Sequence, residues 1–457
     1  MHKRFSADTI KHTIAALTKE LSLKHPGFYR YHSKEKFSSY IDSIKATITD
    51  SLTEMAAYLK LKPIIAKIGC LHTGIVLPEK YNTYLNTRAN LLPFQVYFEG
   101  KRAFVVKNYS TIPAILPRDE ILSINGKPVS EIVTGLLPLI PSDGYNLTMK
   151  YRALLYSFPL WYRNVDPAES FTLLVKQSTG TNGYTLPGAT FDDLSRNGFL
   201  KEPEPAKQLE FRIENNTGIL TIHTFAQSAI KACGQNFKTF IDETFASLKQ
   251  QQIQNLVVDL RDNTGGSDEN AVYFTRHFFD KPFRYWDRIE VTDAIAKEIK
   301  GPMTRMFYRK PVQKDSTWLW QKAKTVKDFD FYEEQKPAKN SFHGKTYLLI
   351  NGFCMSSCSD AIAILSHNSK CICIGEETGG GYQGNTSGII PKTMVTPFSF
   401  SIGVPLQKYV NHVDPSKNKG RGTLPDQPVS IGPDELIKGE DRELSYTLEL
   451  IMQQTKK

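Results

Sequence analysis

Three serines, Ser356, Ser357 and Ser359, lie between a run that reads as a buried strand and a run that reads as a helix. Upstream, Lys345 to Ile350 is short and apolar, and downstream Ala361, Ile362, Ile364 and Leu365 continue as a helical face. A hydroxyl at such a junction sits beside unpaired backbone N–H groups and the positive end of a helix dipole, which suit an oxyanion. The same position also suits a serine that only caps the helix.

Two glycine-rich turns accompany this junction. Residues 259–267 (Asp259 to Ser267) follow an apolar strand and end in Gly265 and Gly266, a pair that lets the backbone turn sharply and present N–H groups outward. A phosphate loop would need a lysine at fixed spacing, and none is present. The second turn runs from Glu377 to Gly381.

Cys354, Cys358, Cys371 and Cys373 have the spacing C-x3-C-x12-C-x-C, which superficially resembles a zinc site. Cys371 and Cys373 alternate with Ile372 and Ile374, however, so a strand places both on one face of a half-buried sheet. Small core residues are the first reading, one local disulfide the second and zinc a distant third.

Residues 1–88 read as a helical domain. Ile10, Ile14, Leu17 and Leu21 follow a 3.6-residue period, and a second run extends through Phe37, Ile41, Ile44, Ile48, Leu52, Met55 and Leu59, with Ser33 as its cap. Residues 89–210 read as a small β-rich domain and linker. Its clearest signal is Asn125-Gly126, a hairpin turn between apolar strands. A helical stretch is expected near Ile132 to Leu137, and a polar, glycine-containing loop from Gln177 to Gly183. Residues 211–457 alternate strands and helices, which predicts a layered α/β core. Residues 280–340, rich in aromatics, prolines and charges without periodicity, read as a surface excursion.

A chain of 457 residues is long enough for two or three domains, and 40% hydrophobic with 23% charged residues is ordinary for a globular protein. The net charge of +10 is scattered, with no block of like charges, which argues against nucleic acid as a partner. No apolar run is long enough to span a bilayer, and the start, Met1 to Ser6, has no apolar stretch of a secretory signal behind it.

Taken in order, these motifs resemble the tail-specific, C-terminal-processing serine peptidase family, particularly its tricorn-like branch. Residues 259–266 resemble D-L-R-x-N-x-G-G, Ser357 to Asp360 occupies the S-A-S-E segment, and Gly420 to Asp426 matches G-x-G-x-x-P-D. Leu116 to Val129 is similar to the second half of a PDZ-like module. The resemblance implies a crotonase/ClpP-like layered α/β catalytic core, an N-terminal helical domain and a PDZ-like domain. It also implies Ser357 as nucleophile, a peptide or protein substrate, no metal or organic cofactor, and, by analogy with bacterial relatives, a periplasmic, cell-surface or secreted location.

The sequence departs from the pattern in two places. The processing branch carries its general base as a lysine in T-F-G-K-G, whereas residues 378–382 here are Thr-Gly-Gly-Gly-Tyr. Tricorn-like relatives use an upstream histidine, and His72, flanked by Gly69 and Gly74, falls where that motif belongs; His223 is its rival. No third member of a relay is evident, and Asp414 and Glu377, with Asp426 behind them, are the candidate orienting acids. The oxyanion hole is assigned to the backbone of Gly265 or Gly266 and of Cys358, whose side chain at a tight turn points away from that of Ser357. Two readings follow: a serine endopeptidase using Ser357 and His72, or a catalytically inactive protein binding peptides or apolar ligands on the same scaffold. Metal analysis of purified protein is expected to find no stoichiometric zinc; one zinc per chain would overturn the core reading of the cysteines.

Overall fold

The computed structural model describes residues 1–200, 205–299, 309–321 and 332–455. Its main sheet has six strands in the order Leu209–Glu214, Thr217–Ile222, Asn255–Asp259, Lys345–Ile350, Ile372–Gly375 and Gln427–Pro428. The first pair is antiparallel and the others parallel, in the register Val257 to Tyr347 and Leu348 to Cys373. Parallel neighbours need crossovers, and helices Phe237–Gln250 and Ser357–His367 provide two of them.

Period-2 alternation explains why both faces of this sheet are buried. Leu256, Val258, Leu348 and Ile350 enter one apolar cluster with Ile362 and Leu365, while Val257, Tyr347 and Leu349 enter a second with Ile451 of the C-terminal helix Arg442–Thr455. The layered α/β class expected from the strand and helix order is therefore present.

At the strand end, Arg261 gathers three carboxylates. Its guanidinium donates to Asp259 at 2.6 and 2.9 Å, to Asp441 at 2.7 and 2.8 Å and to Glu443 at 2.5 Å. Glu443 is fully buried, and burial pushes its carboxyl up to about 7 against the opposing pull of Arg261.

The N-terminal unit is helical, as its periodicity predicts, with helices Ala7–Lys24, Lys34–Ala46 and Glu54–Lys67. Ser33 does cap the second, accepting from the Lys36 N–H at 3.4 Å. The long second run is broken, because Thr53 caps a new helix through the Ala56 N–H at 3.2 Å. Residues 1–88 also do not close their core alone. Gly74–Val76 pairs with Ser401–Gly403, and Val395, Phe398, Phe400 and Ile402 pack among Ile10, Tyr58 and Ile65.

The β-rich unit is an antiparallel sheet ordered Phe94–Glu99, Arg102–Asn108, Glu120–Ile124, Ser170–Gln177 and Gly180–Pro187, covered by helix Thr148–Tyr162. Asn125 and Gly126 take φ of +50° and +77°, as the hairpin turn requires. The loop expected over 177–183 is instead a hairpin, with Gln177 opposite Gly180. Its second strand is mostly exposed, so it carries few of the apolar residues that mark a strand.

The surface excursion expected at 280–340 needs a larger correction. Trp286–Val291 pairs with Gln407–Asn411 in a second, five-stranded sheet, and Tyr285, Trp286, Ile289 and Ile295 belong to the largest apolar cluster. Within the expected excursion, residues 300–308 and 322–331 lie outside the described residues.

Replacing Arg261 with methionine leaves Glu443 buried without its counter-charge. The expected cost is about 3–5 kcal/mol in urea denaturation, with most of it recovered in the Arg261→Met/Glu443→Leu double variant. A double variant as unstable as the single one would contradict this account of the cluster.

Candidate active site

Ser356 leaves the strand end with φ +53° and ψ −133°, a conformation uncommon for a residue with a Cβ. It turns the chain so that the next residue, Ser357, opens helix Ser357–His367. Contrary to the capping reading, the Ser356 side chain makes no cap bond; its carbonyl accepts from the Ser359 hydroxyl at 2.7 Å and the Asp360 N–H at 3.1 Å. Ser357 is only 1% exposed, and its Oγ has no hydrogen-bond partner among the described residues.

Both glycine turns press against this junction. A Cβ on Gly265 would come within 2.8 Å of the Met355 carbonyl and 3.1 Å of the Ser357 nitrogen. A Cβ on Gly380 would come within 2.0 Å of the Ser359 hydroxyl. Chain approach this close excludes a side chain, which is the physical reason for glycine at both places.

The backbone donors differ from the expected oxyanion set. The Gly265 N–H is already bonded to Asn263 Oδ1 at 2.9 Å, and the Cys358 N–H to the Met355 carbonyl at 3.1 Å. Those two amides are therefore occupied, and their assignment is corrected. Among the described residues, the Gly266 and Ser357 N–H groups donate to no protein acceptor. The thiol of Cys358 is fully buried, and burial together with Cys354 pushes it well above the usual thiol range, so it is protonated and enclosed.

His72 reaches this neighbourhood from the helical unit through a chain of contacts. The Thr386 backbone acts on the ring against the effect of burial, and the Cys70 thiol donates to the Thr386 carbonyl at 3.3 Å. The adjacent Asn385 donates to Asp360, on the Ser357 helix, at 3.0 and 3.1 Å. Buried His25 supports the turn from behind: its Nδ1 accepts from Gly27, so Nε2 carries the proton toward Thr73 Oγ1 at 2.8 Å. His72 Nδ1, like Ser357 Oγ, is buried without a hydrogen-bond partner among the described residues. Burial pushes the His72 imidazole down to about 4, so it is neutral at neutral pH.

None of the candidate orienting acids is bonded to His72. Glu377 accepts from Arg421 and, at 2.8 Å, from the Gly422 N–H. Asp414 accepts from the backbone and hydroxyl of Ser416, and Asp426 from the Cys373 N–H at 2.7 Å. The rival His223 pairs with Glu210 at 3.0 Å on the surface. Sequence reasoning missed a different acid, Asp143, whose Oδ1 accepts from the Leu71 N–H at 2.9 Å and Oδ2 from the Gly381 N–H at 3.1 Å. The only local signal for it is the turn-forming Ser142-Asp143-Gly144, which looks like any loop.

No curated protein matches the sequence. Among solved structures, mature CPAF is similar at 12% identity with a TM-score of 0.62, over 98% of this chain and 97% of that one. Mature CPAF complexed with lactacystin is similar at 13% identity with a TM-score of 0.63, over 98% of each chain. At such identities the likeness is one of fold. The family model described as Peptidase family S41 matches residues 216–429, from the second strand of the main sheet through Ser357 to its last strand. Over these residues the sequence matches peptidase family S41, a family of serine peptidases.

Proposed function

We propose that this chain is a serine endopeptidase in which Ser357 is the nucleophile and His72 the general base. One observation carries the reading. A buried hydroxyl and a buried imidazole nitrogen, supplied by separate units to one neighbourhood, are both left without partners. Unpaired buried polar atoms cost about 1–3 kcal/mol each, and a site that pairs them during the reaction gives that cost a purpose.

The chemistry follows from the groups. In the tautomer that carries its proton on Nε2, the unpartnered Nδ1 of His72 keeps a lone pair to accept a proton. Ser357 Oγ attacks the scissile carbonyl as His72 takes its proton, and His72 then protonates the leaving amine. The Gly266 N–H and the amide of Ser357 itself are the unencumbered donors for the oxyanion. Among the described residues no carboxylate is bonded to His72, so the site works as a dyad, and no step needs a cofactor. The Ser357–His72 hydrogen bond forms as substrate binds, a tightening common in sites whose apo geometry is loose.

The PDZ-like reading of the β-rich unit fits this scheme, since Phe94–Glu99 is an edge strand open to pairing with an extended peptide. The alternative, an inactive binding protein, is favoured by the near-complete burial of Ser357.

A fluorophosphonate probe separates the two readings. Labelling is expected in the parent, to be abolished in Ser357→Ala, and to fall by on the order of a hundred- to ten-thousand-fold in rate in His72→Ala. Labelling that survives Ser357→Ala would remove Ser357 as nucleophile, and a parent that binds peptide without labelling would support the binder.

A further inference from the structure

Residues 142–146 lie outside the sheet of the β-rich unit, yet they make backbone contacts with both other parts of the chain. The Gly144 N–H donates to the Gly69 carbonyl at 2.9 Å, the Tyr145 N–H to the Gly420 carbonyl at 2.8 Å, and Asn146 Nδ2 to the Thr378 carbonyl at 2.9 Å. A Cβ on Gly144, at φ +57°, would meet the Gly420 carbonyl at 2.3 Å, so the approach is as close as backbone permits. At the centre is Asp143, 2% exposed, with one oxygen on the residue before His72 and the other on the glycine turn over Ser359.

We propose that Asp143 is a positioning residue for acyl transfer, fixing the His72 turn against the glycine turn that covers the start of the Ser357 helix. The role rests on the proposed Ser357 and His72 chemistry. Asp143 touches neither reacting group; it acts through the main chain on both sides of the site.

Only the carboxylate form does this completely. Each oxygen faces an N–H donor, so protonation sets an O–H against an N–H and breaks one of the two bonds. Burial pushes the Asp143 carboxyl up to about 6, with the Leu71 N–H, the Arg30 charge and the Gly381 N–H pulling the other way. The other groups around it are Tyr31, Cys70 and Tyr145; burial raises the Tyr31 phenol and holds the Cys70 thiol at about 12, so both stay neutral in acid. His72, at about 4, titrates well below Asp143. The sign follows: the site is competent above the Asp143 value and loses competence as pH falls through it, before His72 is protonated.

The test is the rate of fluorophosphonate labelling between pH 8 and pH 4 in the parent, Asp143→Asn and Ser357→Ala. In the parent the rate is expected to fall about tenfold by pH 5, on a limb centred near 6. In Asp143→Asn the amide presents N–H to N–H, so the rate at neutral pH is expected to drop at least about tenfold and the limb to move toward the His72 value. A merely structural role would reduce the amount of active protein and leave the limb in place. A parent rate that is flat from pH 7 to pH 5, or a limb near 6 that persists in Asp143→Asn, would overturn the proposal. Labelling retained in Ser357→Ala would instead overturn the underlying assignment of the nucleophile.

Discussion

One carboxylate holding a backbone N–H from each of two distant turns is the interaction on which the arrangement of the site depends. Ser357 and His72 come from different units, and the core around the His72 unit is completed by Val395, Phe398, Phe400 and Ile402 from the unit that carries Ser357. Asp143, supplied by a third unit, joins the residue before His72 to the glycine turn beside Ser359. Each such bond is worth about 1.5–3 kcal/mol because its acceptor is charged, and the carboxylate bears the cost of its own burial in return.

The main sheet positions Ser357 by a different route. Parallel pairing aligns Asn255–Asp259 with Lys345–Ile350, so the segments leaving both strands meet at one end of the sheet. There Asn263 takes the Gly265 N–H and donates to the Ile222 carbonyl at 2.8 Å, which fixes the first glycine turn to the neighbouring strand. Gly266 is left with an uncommitted amide, and Ser356, held at positive φ, delivers Ser357 beside it. Strain at one residue is tolerated because Ser359 and Asp360 both bond the Ser356 carbonyl.

Much of this was legible in the sequence, for identifiable reasons. The strand and helix flanking Ser357 stand out as apolar runs because they are buried on nearly all sides, and His72 stands out once the expected lysine is missing. Asp143 was not legible because its partners are 72 and 238 residues away and are backbone amides, which carry no side-chain signature. The choice between Gly265 and Gly266 turns on the bond that the Gly265 N–H donates to Asn263, which spacing alone does not reveal. Trp286–Val291 escaped notice because a register shift between Trp286 and Arg288 breaks its alternation, so a core strand read as an irregular loop. The acids Asp414 and Glu377 were plausible by position and are engaged by Ser416 and Arg421.

The proposed chemistry requires that two atoms now unpaired, Ser357 Oγ and His72 Nδ1, become partners when a tetrahedral centre forms. The most direct measurement is a crystal structure of the protein with a peptide boronate. The account predicts a covalent bond from Ser357 Oγ to boron, a boronate oxygen on the Gly266 N–H, and His72 Nδ1 at about 3 Å from the adduct. A boronate bonded to Ser356, or an adduct on Ser357 with the His72 ring turned away from it, would contradict the account.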